Sequence, residues 1–147
     1  EDGTYASLTP LPGSERRVEQ ALIRKHAHME CWRKGDLPAR LEYGTHPRIP
    51  PIFCLAEPGW RILRPGATPS TNGGDHGYDN IAPDMQALFV AHGPAFRPGV
   101  RLAPFDNVDV AALLRRLIGL PVVRDDGNPA SFDPILVAAT PPQPADK

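Results

Sequence analysis

The sequence predicts an α/β fold assembled from short elements. Three observations carry that expectation. Two brief apolar runs, "IFCLA" and "ALFVA", are bounded by proline and glycine in the manner of buried strands. Two other stretches repeat their apolar residues at helical spacing, and one of them ends in the stop signal "GLP". Nineteen prolines and thirteen glycines among 147 residues shorten every element and lengthen the loops.

The elements follow in order. Residues 1–12, "EDGTYASLTPLP", read as an extended entry. Ser14 is placed to cap a helix, with Glu15 in the first turn where the helix dipole favours an anion. Val18, Ala21 and Leu22, extended by Lys25, recur at helical spacing, so the helix is expected over 15–28. "ECWRK", 30–34, is a candidate strand. "GDLPARLEY", 35–43, reads as a short helical turn with Pro38 at its start. "PPIFCLAEPGW", 50–60, holds a buried strand. Residues 64–80 are poor in apolar side chains and form a long loop, of a length that in compact domains is usually functional or disordered. The run Ala87 to Ala91 predicts a further strand that ends at Gly93–Pro94. "FDNVDVAALLRRLIGLP" gives the clearest helix. Asp106 or Asn107 caps it, Val110, Leu113, Leu114, Leu117 and Ile118 form one apolar stripe, and Gly119 and Pro121 stop it. Residues 137–147 are expected to be a flexible proline-rich tail. Apolar strands of this kind normally lie inside a larger sheet covered on both faces, so the chain is expected to be half of a larger domain.

Composition excludes several functions. A hydrophobic content of 41% permits a packed core. The net charge of −1 supplies no basic surplus for phosphates, so no nucleic-acid-binding surface is expected. No apolar run approaches about 18 residues, so no membrane span is expected. The chain begins with Glu1 and lacks signal-peptide character, which suggests processing or a piece of something longer. Cys31 and Cys54 are either two unrelated buried thiols or a disulfide of an exported protein, and the sequence leaves both readings open.

The chemistry centres on histidine. "GGDHGYDN", 73–80, places His76 between glycines that let the backbone approach an ion closely. Asp75 and Asp79 beside it can bind the imidazole or a metal. Neutral imidazole is a common zinc ligand, although zinc needs three or four ligands and this spacing is that of no known finger. His26 and His28 lie two residues apart, which on a helix faces them differently, so they read as structural or solvated. His46 reads as a loop residue before proline, and His92 as bonding backbone at a strand end. Nucleophile elbow, phosphate-cradling loop and Cys-x-x-Cys are all missing.

Four blocks in order carry a resemblance: "CWRKGDLPARLEYGTHPRIPPIFCLAEPGW", "GGDHGYDN", "MQALFVAHGPAF", and "FDNVDVAALLRRLIGLP" with "DDGNPA". From about residue 20 to 130 the chain resembles the C-terminal part of the nucleotide pyrophosphatase/phosphodiesterase family, within the alkaline phosphatase superfamily. It is most similar to bacterial-type members, which also show paired cysteines here. The resemblance implies the C-terminal portion of a three-layer α/β sandwich with a central mixed sheet, residues 1–147 being part of one catalytic domain. It implies two zinc ions in the complete enzyme, a threonine nucleophile, and release of nucleoside 5′-monophosphates from nucleotide or other small phosphodiesters. His76 sits where the family places a zinc-binding histidine. The threonine and the segment supplying the other zinc ligands have no counterpart in these residues, so the implied partner is the N-terminal half of the same domain. The isolated chain is then expected to be inactive, with no catalytic nucleophile of its own. A periplasmic or secreted location is implied, consistent with a Cys31–Cys54 bridge. Two alternatives remain: another hydrolase of the superfamily (phosphomonoesterase, phosphonate hydrolase or choline-type phosphodiesterase), or a catalytically dead binding or structural fragment.

Overall fold

A computed structural model describes residues 3–68, 73–121, 123 and 125–137. The proline-rich tail from 138 onward lies outside the described residues. The chain forms two compact units, Glu1–Leu88 and Phe89–Lys147.

The first unit is built on an antiparallel sheet of β1 (Tyr5–Leu8), β2 (Met29–Arg33) and β3 (Ile52–Ala56), in the order β1-β3-β2. The most apolar strand takes the centre, where both of its edges are bonded and four of its five residues are buried. Ala6 on β1 faces Cys54, and Cys54 faces Cys31 across β2. Cys31 donates its N–H away from β3, to the Arg24 carbonyl. The two cysteines therefore meet as a non-hydrogen-bonded pair, where antiparallel strands bring side chains closest. Their Cα atoms lie 4.0 Å apart and a disulfide joins them, which resolves the two readings the sequence left open. Ala6, Ile52 and the cystine form the buried core, with Leu8, Val18, Leu22, Ile23, Met29 and Ile62 packed around it.

The helix α1 (Glu15–Leu22) is shorter than its expected span. Beyond Leu22 the chain turns back on β2. Arg24 accepts from Cys31, Lys25 bridges to Glu30, and His26 donates its N–H to Met29. Pairing with the sheet thus replaces the last helical turns. Ser14 holds the N-cap position, but its hydroxyl donates to the Leu11 carbonyl instead of accepting from the helix. Residues 34–51 join β2 to β3 through 3-10 turns at Lys34–Asp36 and Ala39–Leu41, as the helical-turn expectation for 35–43 required. Gly44 closes this connection with φ +111°. A Cβ there would come within 2.3 Å of the Lys34 carbonyl oxygen, so only glycine fits.

The second unit packs α2 (Asp109–Leu117) on a core of Leu113, Phe132, Ile135 and Leu136. Phe89, Phe105 and Phe132 interlock with centroids 4.7 to 5.5 Å apart, in the tilted and edge-on geometries that aromatic quadrupoles favour. The helix stops as its sequence foretold. Leu120 N–H reaches back to the Arg115 carbonyl and Gly119 N–H to that of Arg116, with Gly119 at φ +70°, the glycine-terminated Schellman arrangement. Its start differs, because Asp106 and Asn107 accept through backbone carbonyls and neither side chain caps it. The stripe is also narrower than expected: Leu113 is buried, whereas Leu114, Leu117 and Ile118 are exposed.

The strand expected over Ala87 to Ala91 is not formed. Phe89 turns inward to the second core, while Leu88 and Val90 are 90% and 77% exposed. Alternation of this kind is a strand's, but a strand also requires ladder bonds, and none engages this segment among the described residues.

The Cys31–Cys54 bridge closes 23 residues and contributes about 3 kcal/mol in the chain-entropy account. Changing both residues to Ala is expected to lower stability to denaturant by about that amount or more, since the bridge is also core. Alkylation followed by mass measurement should find no free thiol without reductant and two after reduction.

Candidate functional site

The loop 73–80 lies against the start of β1. Thr4, 2% exposed, links sheet and loop: its carbonyl accepts the Ala56 N–H, and its hydroxyl donates to the His76 carbonyl at 2.9 Å. Gly77 lets the loop come this close. Its φ is +95°, and a Cβ would stand 2.8 Å from Thr4 Oγ1 and 3.5 Å from the Tyr5 ring.

Charge fixes the rest of the loop. Arg40, on the Ala39–Leu41 turn, donates from both guanidinium nitrogens to the two carboxylate oxygens of Asp79, at 2.7 and 2.5 Å. Asp79 Oδ1 also accepts the Ile81 N–H at 3.2 Å, and its carbonyl accepts from Ala82. The Arg40 hydrogen bonds hold the Asp79 carboxyl below its ordinary range. The Ile81 N–H and the guanidinium charge act in the same direction, against a partial opposition from burial. On the other side of His76, Asp75 pairs with Arg61 Nε at 2.9 Å and accepts the His76 N–H at 3.0 Å. Arg61 is itself placed by the bridge between Gly3 and Ile62.

His76 is therefore gripped through its backbone and through both neighbouring aspartates, while its imidazole is exposed. Among the described residues nothing hydrogen-bonds the ring, and no group of three His, Cys, Asp or Glu side chains converges to hold a metal ion. The residues present fit one ligand of a metal centre and do not complete one. Asp75 and Asp79, which local composition alone offered as possible ligands and the family resemblance did not, are engaged by arginines.

Three of the other histidines, His26, His28 and His46, take ordinary structural roles. His26 Nε2 lies 3.1 Å from the Leu22 carbonyl. His28 pairs with Glu57 at 3.3 Å and stacks flat on Trp60 with centroids 3.5 Å apart. His46 Nδ1 accepts the Arg48 N–H within its own loop. His92 is exposed and makes no backbone bond among the described residues, contrary to expectation. Thr4, Arg40 and Arg61 were not singled out from sequence. Each acts on a residue at least 14 positions away, and no local pattern marks such pairs.

Residues 3–79 match the family described as type I phosphodiesterase / nucleotide pyrophosphatase. The chain is 31% identical over 134 residues to mouse ectonucleotide pyrophosphatase/phosphodiesterase family member 7, covering 91% of this chain and 30% of that protein. Its structure resembles human ectonucleotide pyrophosphatase/phosphodiesterase 5 with a TM-score of 0.82 at 30% identity, covering 94% of this chain and 37% of that one. An inactive variant of the murine counterpart in complex with AMP matches with a TM-score of 0.79 at 29% identity, over 93% of this chain and 36% of that one. The matched part is the C-terminal part of an alkaline-phosphatase-like domain, and the α/β expectation holds. These relatives are mammalian, and the bacterial-type reading is not borne out. The chain spans about a third of the length of the proteins it matches.

Two tests address the loop. Because the folded-state value of Asp79 is depressed, its contribution to stability is present above the unfolded-state value and is lost as pH falls through the folded one. Protection of residues 73–80 from proteolysis should persist through the ordinary aspartate range and fail only below it. In Asp79→Asn that acid step should vanish. Gly77→Ala should cost about 1–2 kcal/mol, from a left-handed backbone and contact with Thr4, measured by denaturant unfolding.

Proposed function

Because this chain belongs to the type I phosphodiesterase / nucleotide pyrophosphatase family, we propose that it forms part of a hydrolase that cleaves phosphodiester and pyrophosphate bonds of nucleotides to give nucleoside 5′-monophosphates. The single observation that carries the reading is His76: an exposed imidazole on a loop locked from three sides, inside the matched span. The AMP complex of a murine relative supports a nucleotide as the bound species.

In this reading His76 supplies one imidazole nitrogen to a zinc centre of two ions. Zinc, when bound, polarises a phosphoryl oxygen and stabilises charge on the leaving oxygen. The chain's own residues prepare the ligand. Thr4 and Gly77 fix the His76 backbone, and the two arginines occupy the aspartates that would otherwise hold the ring or compete for the ion. The threonine nucleophile and the remaining zinc ligands belong to a segment outside these 147 residues, so the chain by itself is a fragment without hydrolytic activity. The cystine supports an exported, oxidising compartment, and no helix among the described residues is long and apolar enough to cross a membrane.

The test uses the protein produced from its complete reading frame. His76→Ala should lower bound zinc toward one ion per chain and lower turnover of a chromogenic nucleotide diester at least 100-fold, on the scale of other lost catalytic-site interactions. Zinc content and activity that both survive would remove His76 from the site. A simple phosphomonoester and a choline phosphodiester should be turned over more slowly than the nucleotide diester. A reversed preference would place the protein among other hydrolases of the superfamily, and no activity on any of the three would leave a binding protein.

A further inference from the structure

The loop 73–80 has no buried apolar side chain, so its order depends on contacts reaching in from elsewhere. Those contacts differ in what they fix. Thr4 holds one carbonyl oxygen, about which the loop can still pivot. Arg61 pairs with Asp75 with its Nε 2.9 Å from the carboxylate. Arg40 makes two bonds to Asp79, one from each terminal guanidinium nitrogen to each carboxylate oxygen, a two-point fork on one carboxylate. Such a fork sets direction as well as distance, because guanidinium and carboxylate are both planar.

Arg40 is itself held in place. Its turn is closed by bonds from Leu41 to Pro38 and from Glu42 to Ala39. Glu42 adopts φ +47°, and Gly44 presses on the Lys34 carbonyl with no room for a side chain. A non-glycine residue in the left-handed region, as Glu42 is, is retained where the surrounding structure over-determines it. We propose that Arg40 is a positioning residue for His76: its fork on Asp79 fixes the loop so that the imidazole is presented in one orientation to the zinc centre. This inference rests on the reading of His76 as a zinc ligand.

The experiment measures zinc affinity in the full-length protein by competition with a chromogenic chelator, beside kcat, KM and thermal unfolding. Arg40→Ala and the near-isosteric Asp79→Asn should each weaken zinc binding about 10–100-fold, the range for lost partners behind a metal ligand. Both should lower kcat with KM little changed. Arg40→Lys should not restore affinity, since an ammonium cannot make the fork. Exchanging the partners, Arg40→Asp with Asp79→Arg, should recover part of the loss. Unfolding temperature should move little in every variant, because the pair is partly exposed. His76→Ala separates the two claims. If it loses zinc while Arg40→Ala and Asp79→Asn bind zinc within twofold of the native protein, the positioning role is wrong and the ligand assignment stands. If His76→Ala keeps its zinc, the ligand assignment fails and the inference falls with it. A loss of affinity matched by an equal loss of folded protein in Asp79→Asn would reduce Arg40 to a structural role.

Discussion

The covalent tie between Cys31 and Cys54 is the constraint on which the first unit depends. Its buried core has four members, and the cystine supplies two of them. A sheet of three short strands with so few apolar partners is a marginal structure in water. The bridge joins the central strand to an edge strand at the register where Ala6 faces Cys54 from the other side. A one-residue slip would turn both sulfur atoms to opposite faces, so the bond also fixes the register of β2 against β3.

That register determines where the His76 loop is gripped. Arg40 hangs from the connection between the two bridged strands. Arg61 follows the end of β3, anchored by the bridge from Ile62 to Gly3. Thr4 sits at the head of β1 and is bonded to Ala56, the last residue of β3. All three grips therefore start from the ends of strands paired in one small sheet, and a shift of register would displace Arg40 and Thr4 relative to each other. The loop has no fully buried apolar side chain, Tyr78 being half-buried, so polar contacts carry much of its ordering. Each ion pair is partly solvated and individually weak, but together they restrain both sides of the histidine.

The sequence was most legible where a local pattern sufficed. β3 is a continuous apolar run and was placed closely. The end of α2 followed from Gly119, whose left-handed conformation completes the expected stop. Legibility failed where partners lie far apart in the chain. The end of α1 was overrun because residues 24–26 pair with β2, and helical spacing does not report a competing strand. Ala87 to Ala91 carries a strand's composition without ladder partners among the described residues, and composition does not reveal pairing. His76 was singled out as a candidate from its glycines and neighbouring carboxylates together with the family resemblance, whereas Arg40, 39 positions from Asp79, carried no signal in its own surroundings.

Asp75 and Asp79 also show why local composition offers more candidate ligands than the fold leaves free. Carboxylates flanking a histidine read in sequence as a cluster able to bind an ion. In the structure both are committed to guanidinium groups, and Asp75 also accepts the histidine's own backbone N–H. A carboxylate already neutralised in this way would have to break its pair to reach a metal, which sets two charges competing for one position. The imidazole has no such prior commitment. The imidazole of His76 has no hydrogen-bond partner among the described residues, which is the state the proposed ligand role requires.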